Sequence, residues 1–206
     1  MNTQKAAYFN SQVDSAWASR EYTVDELRRI DRMLGLAGWS PNMRILEPGC
    51  GTGRLTEVLA DRSSARGFIF AADISENMVQ AASERLGQRD NARVECEALE
   101  NLPLGAEEFD LVVCHQVFPH FEDKERALRI LSATLKPLGK LVVFHFMNSA
   151  HINDMHRKTD PSVMEDSLPG PEKMRLLFGA AGFSIDILED DDQGYLLTAT
   201  KTRSVE

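Results

Sequence analysis

Between Ile45 and Thr56 the chain reads Ile-Leu-Glu-Pro-Gly-Cys-Gly-Thr-Gly-Arg-Leu-Thr. No other stretch restricts the possible folds as tightly. Met43, Ile45 and Leu46 supply the apolar end of a buried strand. Gly49, Gly51 and Gly53 follow, and a helix from Arg54 to Ala60 places Leu55, Val58 and Leu59 on one face. Glycine permits positive φ and lets a ligand approach the backbone closely. The start of a helix offers unpaired N–H groups. Strand, glycines and helix start together predict a cradle for a polar, nucleotide-like ligand at the carboxyl end of a parallel strand.

The dinucleotide fingerprint G-x-G-x-x-G places its third glycine inside the helix. Counted from Gly49 and Gly51, that position is Arg54. The pattern present, E-x-G-x-G-x-G from Glu47, resembles motif I of the class I methyltransferases that use S-adenosylmethionine. Further along, Phe109-Asp110-Leu111-Val112 resembles the family's motif II, and Lys136-Pro137-Leu138-Gly139 its K-P-G-G turn with one glycine replaced. The resemblance covers roughly residues 43 to 200.

Composition sets the outer limits. The chain has 206 residues, 43% hydrophobic and 27% charged, which suits a soluble globular domain. A net charge of −9 argues against nucleic acid as a partner, since phosphate binding needs a basic surface. Three cysteines, Cys50, Cys96 and Cys114, form no C-x-x-C pair, so a reducing compartment without structural zinc is expected. No apolar run reaches the ~20 residues that span a bilayer, and Met1 to Asn10 lack a signal peptide's apolar centre. These features predict a cytoplasmic protein that does not enter a membrane.

Taken in order, residues 1 to 22 scatter Tyr8, Phe9, Trp17 and Tyr22 among polar residues, which predicts neither a core strand nor a clean helix. Such an arm either folds over a bound ligand or plugs onto the domain. Thr23 to Glu26 form a capping box for the next helix. Gly67 to Asp73, Asn91 to Cys96, Phe109 to His115 and Lys140 to His145 read as further strands, near-continuously apolar where both faces are covered. Helices fall at Glu76 to Leu86, Lys124 to Lys136 and Pro171 to Gly182. Phe146 to Gly170 has no clear period; a long irregular insert is usually functional or mobile. Phe183 to Leu188 and Tyr195 to Thr200 close the chain as an antiparallel pair. The alternation predicts an α/β fold with helices on both faces of a mostly parallel sheet.

The resemblance implies a Rossmann-like doubly wound sheet of seven strands, ordered 3-2-1-4-5-7-6 with the last antiparallel. It implies one methyltransferase domain over 1–206: an arm and helix (1–40), a cofactor-binding core (41–145), a substrate lid (146–170), and a closing helix and strands (171–206). S-adenosyl-L-methionine is the implied cofactor and S-adenosyl-L-homocysteine its spent form. Gly49, Cys50, Gly51, Thr52 and Gly53 would admit the methionine and ribose portion, with Glu47 near its ammonium. Asp73, 20 residues after Gly53, would hold the ribose hydroxyls, with Ile74 and Met78 beside the adenine. The family's Asp before Leu-Pro is Ala98 here, so either Glu97 takes its role from one position away or, as we expect, the backbone of Ala98 and Leu99 reads the adenine edge. Cys114, His115 and Gln116 would face the methionine tail and the incoming substrate.

Transfer of an activated methyl is an in-line displacement, and positioning alone can supply about 7–11 kcal/mol. A base is needed if the acceptor is a hydroxyl or a protonated amine, and histidine suits neutral pH. Of His115, His120, His145, His151 and His156, we expect His115 or His151 to line the acceptor pocket. His151, His156, Asp154 and Asp160 could gather round a cation, but the histidine spacing misses a shared helix face, and no metal is expected. The expected activity is methyl transfer to the O, N or S atom of a small molecule. The alternatives are a non-catalytic cofactor-binding sensor or scaffold, and a nucleotide-dependent oxidoreductase, which Arg54 disfavours.

Overall fold

The computed structural model describes residues 2–202. By contacts the chain divides into two compact units, one ending at Leu102 and the other beginning at Pro103.

In the first unit α1 (Thr3–Ser11), α2 (Ala16–Ser19) and α3 (Val24–Leu36) precede β1 (Arg44–Pro48), α4 (Arg54–Arg62), β2 (Phe68–Asp73), α5 (Glu76–Leu86) and β3 (Ala92–Cys96). β1 pairs with β2 and β2 with β3, both parallel, so that Pro48 lies beside Ala72 and Asp73 beside Cys96 at the carboxyl tips. Ile45, Leu46, Ile69 and Ala71 are fully enclosed, with Leu59 of α4 and Ala82 of α5 packed among them. The capping box at α3 is complete: Glu26 N–H donates to Thr23 Oγ1 at 3.2 Å, and Thr23 N–H donates to Glu26 Oε2 at 2.8 Å.

The arm departs from its expected irregularity. α1 is two turns of helix capped by Asn2, whose side chain accepts the Lys5 N–H at 3.0 Å. Its helical periodicity is weak in the sequence because α1 is anchored by tertiary contacts with α5 rather than by a broad apolar stripe.

In the second unit β4 (Phe109–His115) and α6 (Lys124–Thr134) lead to β5 (Leu135–His145), α7 (Ser149–Arg157), α8 (Pro171–Ala180), β6 (Phe183–Asp191) and β7 (Gly194–Lys201). β4 and β5 are parallel; β7 runs antiparallel between β5 and β6. The sheet has seven strands in the order β3-β2-β1-β4-β5-β7-β6, the doubly wound, Rossmann-like order. The insert expected to be irregular contains α7, which begins where Asn148 accepts the His151 N–H at 3.0 Å.

β5 begins five residues earlier than its apolar run, because the Lys136 to Gly139 turn is drawn into the strand across a register shift opposite Phe109 and Leu111. A Cβ on Gly139 would lie 2.9 Å from the Lys136 carbonyl oxygen, so that position must be glycine. Leu138 is not glycine, yet it adopts φ 65° with 53% of its surface exposed. Left-handed backbone costs an L-residue about 1–2 kcal/mol, part of which glycine's extra chain entropy offsets. Leu138→Gly should therefore stabilise the protein by about 0.5–1 kcal/mol in urea unfolding, without altering ligand binding.

Candidate functional site

The three glycines between β1 and α4 all take positive φ: 69° at Gly49, 55° at Gly51 and 75° at Gly53. They turn the chain back over the tip of β2. Gly49 and Cys50 donate their N–H groups to the Ala72 carbonyl at 2.7 and 3.0 Å. One residue on, Asp73 Oδ2 accepts the Gly51 N–H at 2.9 Å and Oδ1 accepts the Ser75 N–H at 2.9 Å. Asp73 thus bridges the glycine turn to the start of α5. The glycines are needed for different reasons. A Cβ on Gly53 would sit 2.9 Å from Ala82 Cβ, so its bareness lets α4 and α5 pack, whereas a Cβ on Gly51 would meet nothing within 4 Å and its φ alone demands glycine. The turn therefore presents open backbone at Gly51.

Glu47 stands at the tip of β1 and is 2% exposed. Thr56 Oγ1 of α4 donates to its Oε2 at 2.8 Å. Burial, with a smaller contribution from the charge of Asp73, pushes the Glu47 carboxyl up to about 8, against the pull of that hydrogen bond. Burial also raises Asp73, although backbone N–H groups oppose it. No ion pair among the described residues joins a cation to either group. Two inward-facing carboxylates beside an open glycine turn make a site that favours a positively charged ligand.

The arm reaches the same turn. Thr52 Oγ1 donates to the Ala18 carbonyl, and Arg54 Nη1 donates to the Trp17 carbonyl at 2.7 Å. The Arg54 guanidinium lies 3.9 Å from the centre of the Tyr22 ring, within cation–π range. Ahead of α5, Asn10 Oδ1 accepts from Ser75 Oγ at 2.7 Å and from the Asn77 N–H at 3.1 Å. These arm contacts were invisible to sequence reasoning. Arg54 was legible only as a missing glycine, and nothing local marked Asn10.

The remaining expected residues distribute as follows. Cys50 is buried, and burial drives its thiol well upward, so it is held as a neutral thiol. Ile74 is half-buried, while Met78 is 1% exposed and packs inside the core of its unit. Ala98 and Leu99 are buried at a 3-10 turn after β3. The Ala98 N–H, expected to be open to an adenine edge, instead donates to Glu97 Oε1 at 2.8 Å. Acid and amide are neighbours in sequence, so this local bond forms readily.

In the second unit Cys114 is fully enclosed in β4. His115 stacks on Phe144 at 5.3 Å between ring centres, and its Nδ1 donates to the Phe144 carbonyl at 3.2 Å. His151 lies exposed in the first turn of α7, its Nδ1 3.0 Å from Asn148 Oδ1. Asp154 pairs with Lys158 at 2.5 Å, and Asp160 accepts the Ser162 N–H at 2.9 Å. His156 turns inward, its Nδ1 donating to the Asp166 carbonyl at 2.8 Å. These four groups serve separate local contacts, and among the described residues no cluster of three or more such side chains could hold a metal ion.

A family model described as "Methyltransferase domain" matches residues 46–143. Over that span, a little under half of the chain, the sequence is similar to methyltransferase domains. It is similar to the ubiquinone biosynthesis O-methyltransferase of Coxiella burnetii, with 30% identity over 116 residues, 56% of this chain and 47% of that protein. It is also similar to the malonyl-[acyl-carrier protein] O-methyltransferase of Priestia megaterium, with 26% identity over 166 residues, 79% of this chain and 60% of that protein. The chain therefore spans about half the length of the first of these relatives, 47%. Among solved structures, magnesium protoporphyrin IX methyltransferase from Synechocystis PCC 6803, with bound S-adenosylhomocysteine, superposes with a TM-score of 0.72 at 21% identity, covering 98% of this chain and 100% of that one. That likeness is one of fold.

S-adenosylmethionine, the cofactor that the sequence resemblance implies, carries a sulfonium and an ammonium. The open backbone at Gly51 and the Glu47 and Asp73 carboxylates fit a ligand of that charge.

The raised Glu47 carboxyl sets a pH dependence of known sign. The unfolded chain ionises this group near 4.5, while the fold holds its proton up to about 8. Between those values the unfolded state has released the proton and the folded state has not, so stability falls as pH rises. Glu47→Gln should abolish that decline and leave the ligand-free variant more stable than the parent at pH 8, by on the order of 2 kcal/mol. At pH 4.5 the two should melt alike; thermal unfolding across the range checks this.

Proposed function

We propose that the chain transfers a methyl group from S-adenosylmethionine to a small-molecule acceptor. The observation that carries this reading is the pair of inward-facing carboxylates, buried Glu47 and half-buried Asp73, set against an open glycine turn with no cation among the described residues paired to either. The methionine ammonium and the sulfonium are the charges such a site lacks. S-adenosylmethionine, when bound, supplies an electrophilic methyl carbon whose leaving group is a neutral thioether.

The chain's own residues position, enclose and exclude. Asp73 accepts from the backbone N–H groups of Gly51 and Ser75, with Ile74 also drawing on the carboxylate, which leaves an acceptor site for a ribose hydroxyl. Glu47 takes the ammonium, and ionises as it does so. Gly51 admits the ligand to the main chain. α1 and α2 tie down over the turn through Thr52, Arg54 and Asn10, which supports a role in keeping water from the reacting centre. The stretch from Phe146 to Gly170 would cover the acceptor. In-line displacement then follows from geometry, with effective molarity doing most of the work.

A small acceptor is favoured over nucleic acid by the net charge of −9. The relatives point the same way, since their names specify ubiquinone biosynthesis and malonyl-acyl carrier protein. No helix of the described residues is long and apolar enough to cross a membrane, in keeping with an acceptor met in solution.

Calorimetry tests the first step. S-adenosylmethionine and S-adenosylhomocysteine should bind and NAD should not, and Asp73→Ala should weaken binding by at least about tenfold, one charge-assisted hydrogen bond's worth. An acceptor screen read by mass for the gain of one methyl group tests the second. Binding without turnover of any acceptor would favour a cofactor sensor instead.

A further inference from the structure

Three arginines of the first unit lie around the start of α4: Arg20, Arg54 and Arg85. Arg20 holds both oxygens of Glu26, at 2.7 and 2.5 Å, and Arg85 pairs with Glu21 at 2.8 Å and Glu57 at 2.9 Å. Arg54, the first residue of α4, pairs with no carboxylate among the described residues. Its Nη1 donates to the Trp17 carbonyl, and the Tyr22 ring covers its face. Nε and Nη2 are enclosed and donate to nothing among the described residues, in a side chain that keeps 8% of its surface. Buried donors left unspent weaken a fold, and a buried cation without an anion weakens it further.

The two unspent atoms are not scattered. Nε and Nη2 form one edge of the guanidinium, and their parallel N–H groups match the two oxygens of a carboxylate. The backbone beside them asks for the same charge. Gly53 caps α4 without a side chain to satisfy its first N–H groups, and the start of this nine-residue helix is its positive end. At the other end of the turn, Glu47 has one hydrogen bond among the described residues, from Thr56 in the first turn of α4. Tyr22 stands within reach of both charges: Arg54 favours ionisation of its phenol and Glu47 opposes it. A single turn therefore runs from an acid without a cation to a cation without an acid. An α-amino acid carries the two missing charges on one carbon.

We propose that the Nε–Nη2 edge of Arg54 is the receptor for an α-amino-acid carboxylate, the one at the methionine end of the cofactor. The proposal rests on the methyl-transfer reading and adds a specificity-determining residue to it. Arg54 selects ligands whose amino-acid end is intact over the same ligands without the carboxylate. Nη1 goes on holding the arm, so one side chain serves as the arm's seat and as the receptor. Both receptor atoms are enclosed, and the carboxylate reaches them as the arm lifts and resettles.

The test is calorimetry on the full chain with two probes. One is S-adenosylhomocysteine; the other is S-adenosyl-3-thiopropylamine, the same molecule without its carboxylate. The parent should bind the first at least about tenfold more tightly, the worth of a charge-assisted hydrogen bond. Arg54→Met, which keeps most of the side chain's packing, should bring that ratio to within about twofold of unity by weakening the first probe. Arg54→Lys keeps the charge and loses the fork, and should reduce the ratio severalfold; it decides the matter if the Met variant does not fold. Asn10→Ala loosens the arm away from Arg54 and should leave the ratio as it is, whatever it does to both affinities. Glu47→Gln should leave it too, since the ammonium is common to both probes. A parent that binds the two probes alike, or a ratio that survives in Arg54→Met or, failing that, in Arg54→Lys, would overturn the proposal. So would a ratio that falls as far in Asn10→Ala, because Arg54 would then act only by fastening the arm. Binding of S-adenosylhomocysteine by the parent in those cases leaves the methyl-transfer reading standing, whereas no binding of either probe removes that reading itself.

Discussion

The hydrogen bond from the Gly51 N–H to Asp73 Oδ2, 2.9 Å long, is the contact on which the first unit's site depends. It joins the turn after β1 to the tip of β2, 22 residues away, and it does so with a carboxylate that burial would rather neutralise. The backbone groups of Gly51, Ile74 and Ser75 keep it acidic enough to accept. With that bond in place the glycines hold their left-handed conformations, α4 leaves the turn in the right direction, and Gly53 lets α4 close against Ala82. The Gly49 and Cys50 N–H groups on the Ala72 carbonyl and Thr52 Oγ1 on the Ala18 carbonyl hold the rest of the turn.

Charge is distributed around this turn in an uneven way. Glu47 and Asp73 occupy the inner side without a cation paired to them among the described residues, and burial holds Glu47 protonated through neutral pH. Arg54 occupies the arm side, 8% exposed, with Nε and Nη2 unpartnered and the Tyr22 ring against its guanidinium. The cation and the acids of one loop thus serve different neighbours. Arg54 fastens α2 and the segment after it, and the carboxylates are left for a ligand. Buried ionisable groups that do not neutralise each other weaken a fold.

The second unit manages its histidines by backbone geometry. His115, His120 and His156 each turn Nδ1 toward an acceptor oxygen that cannot donate, so all three share one tautomer. Burial and the neighbouring imidazoles hold His145 well below the usual range, keeping it neutral. A cluster of four imidazoles would repel itself if charged. Asp166 offers a counter-charge to His120.

What the sequence determined by itself was whatever depends on near neighbours along the chain. The strand–glycine–helix passage, the parallel order implied by alternating apolar strands, the capping box at Thr23 and the limits of α5 and β4 were all legible, because periodicity and local hydrogen bonding fix them. The resemblance then supplied the strand order that local rules leave open. Tertiary structure decided the rest. The arm is helical because α5 and the glycine turn hold it, not because its own residues insist. The Ala98 amide is engaged by Glu97, a choice between neighbours that composition does not announce. The carboxylate beside His120 is brought there by a pairing across 46 residues, and the protonation of Glu47 is set by how completely the fold removes it from water. Long-range pairing and desolvation are properties of the packed chain, and no window of sequence contains them.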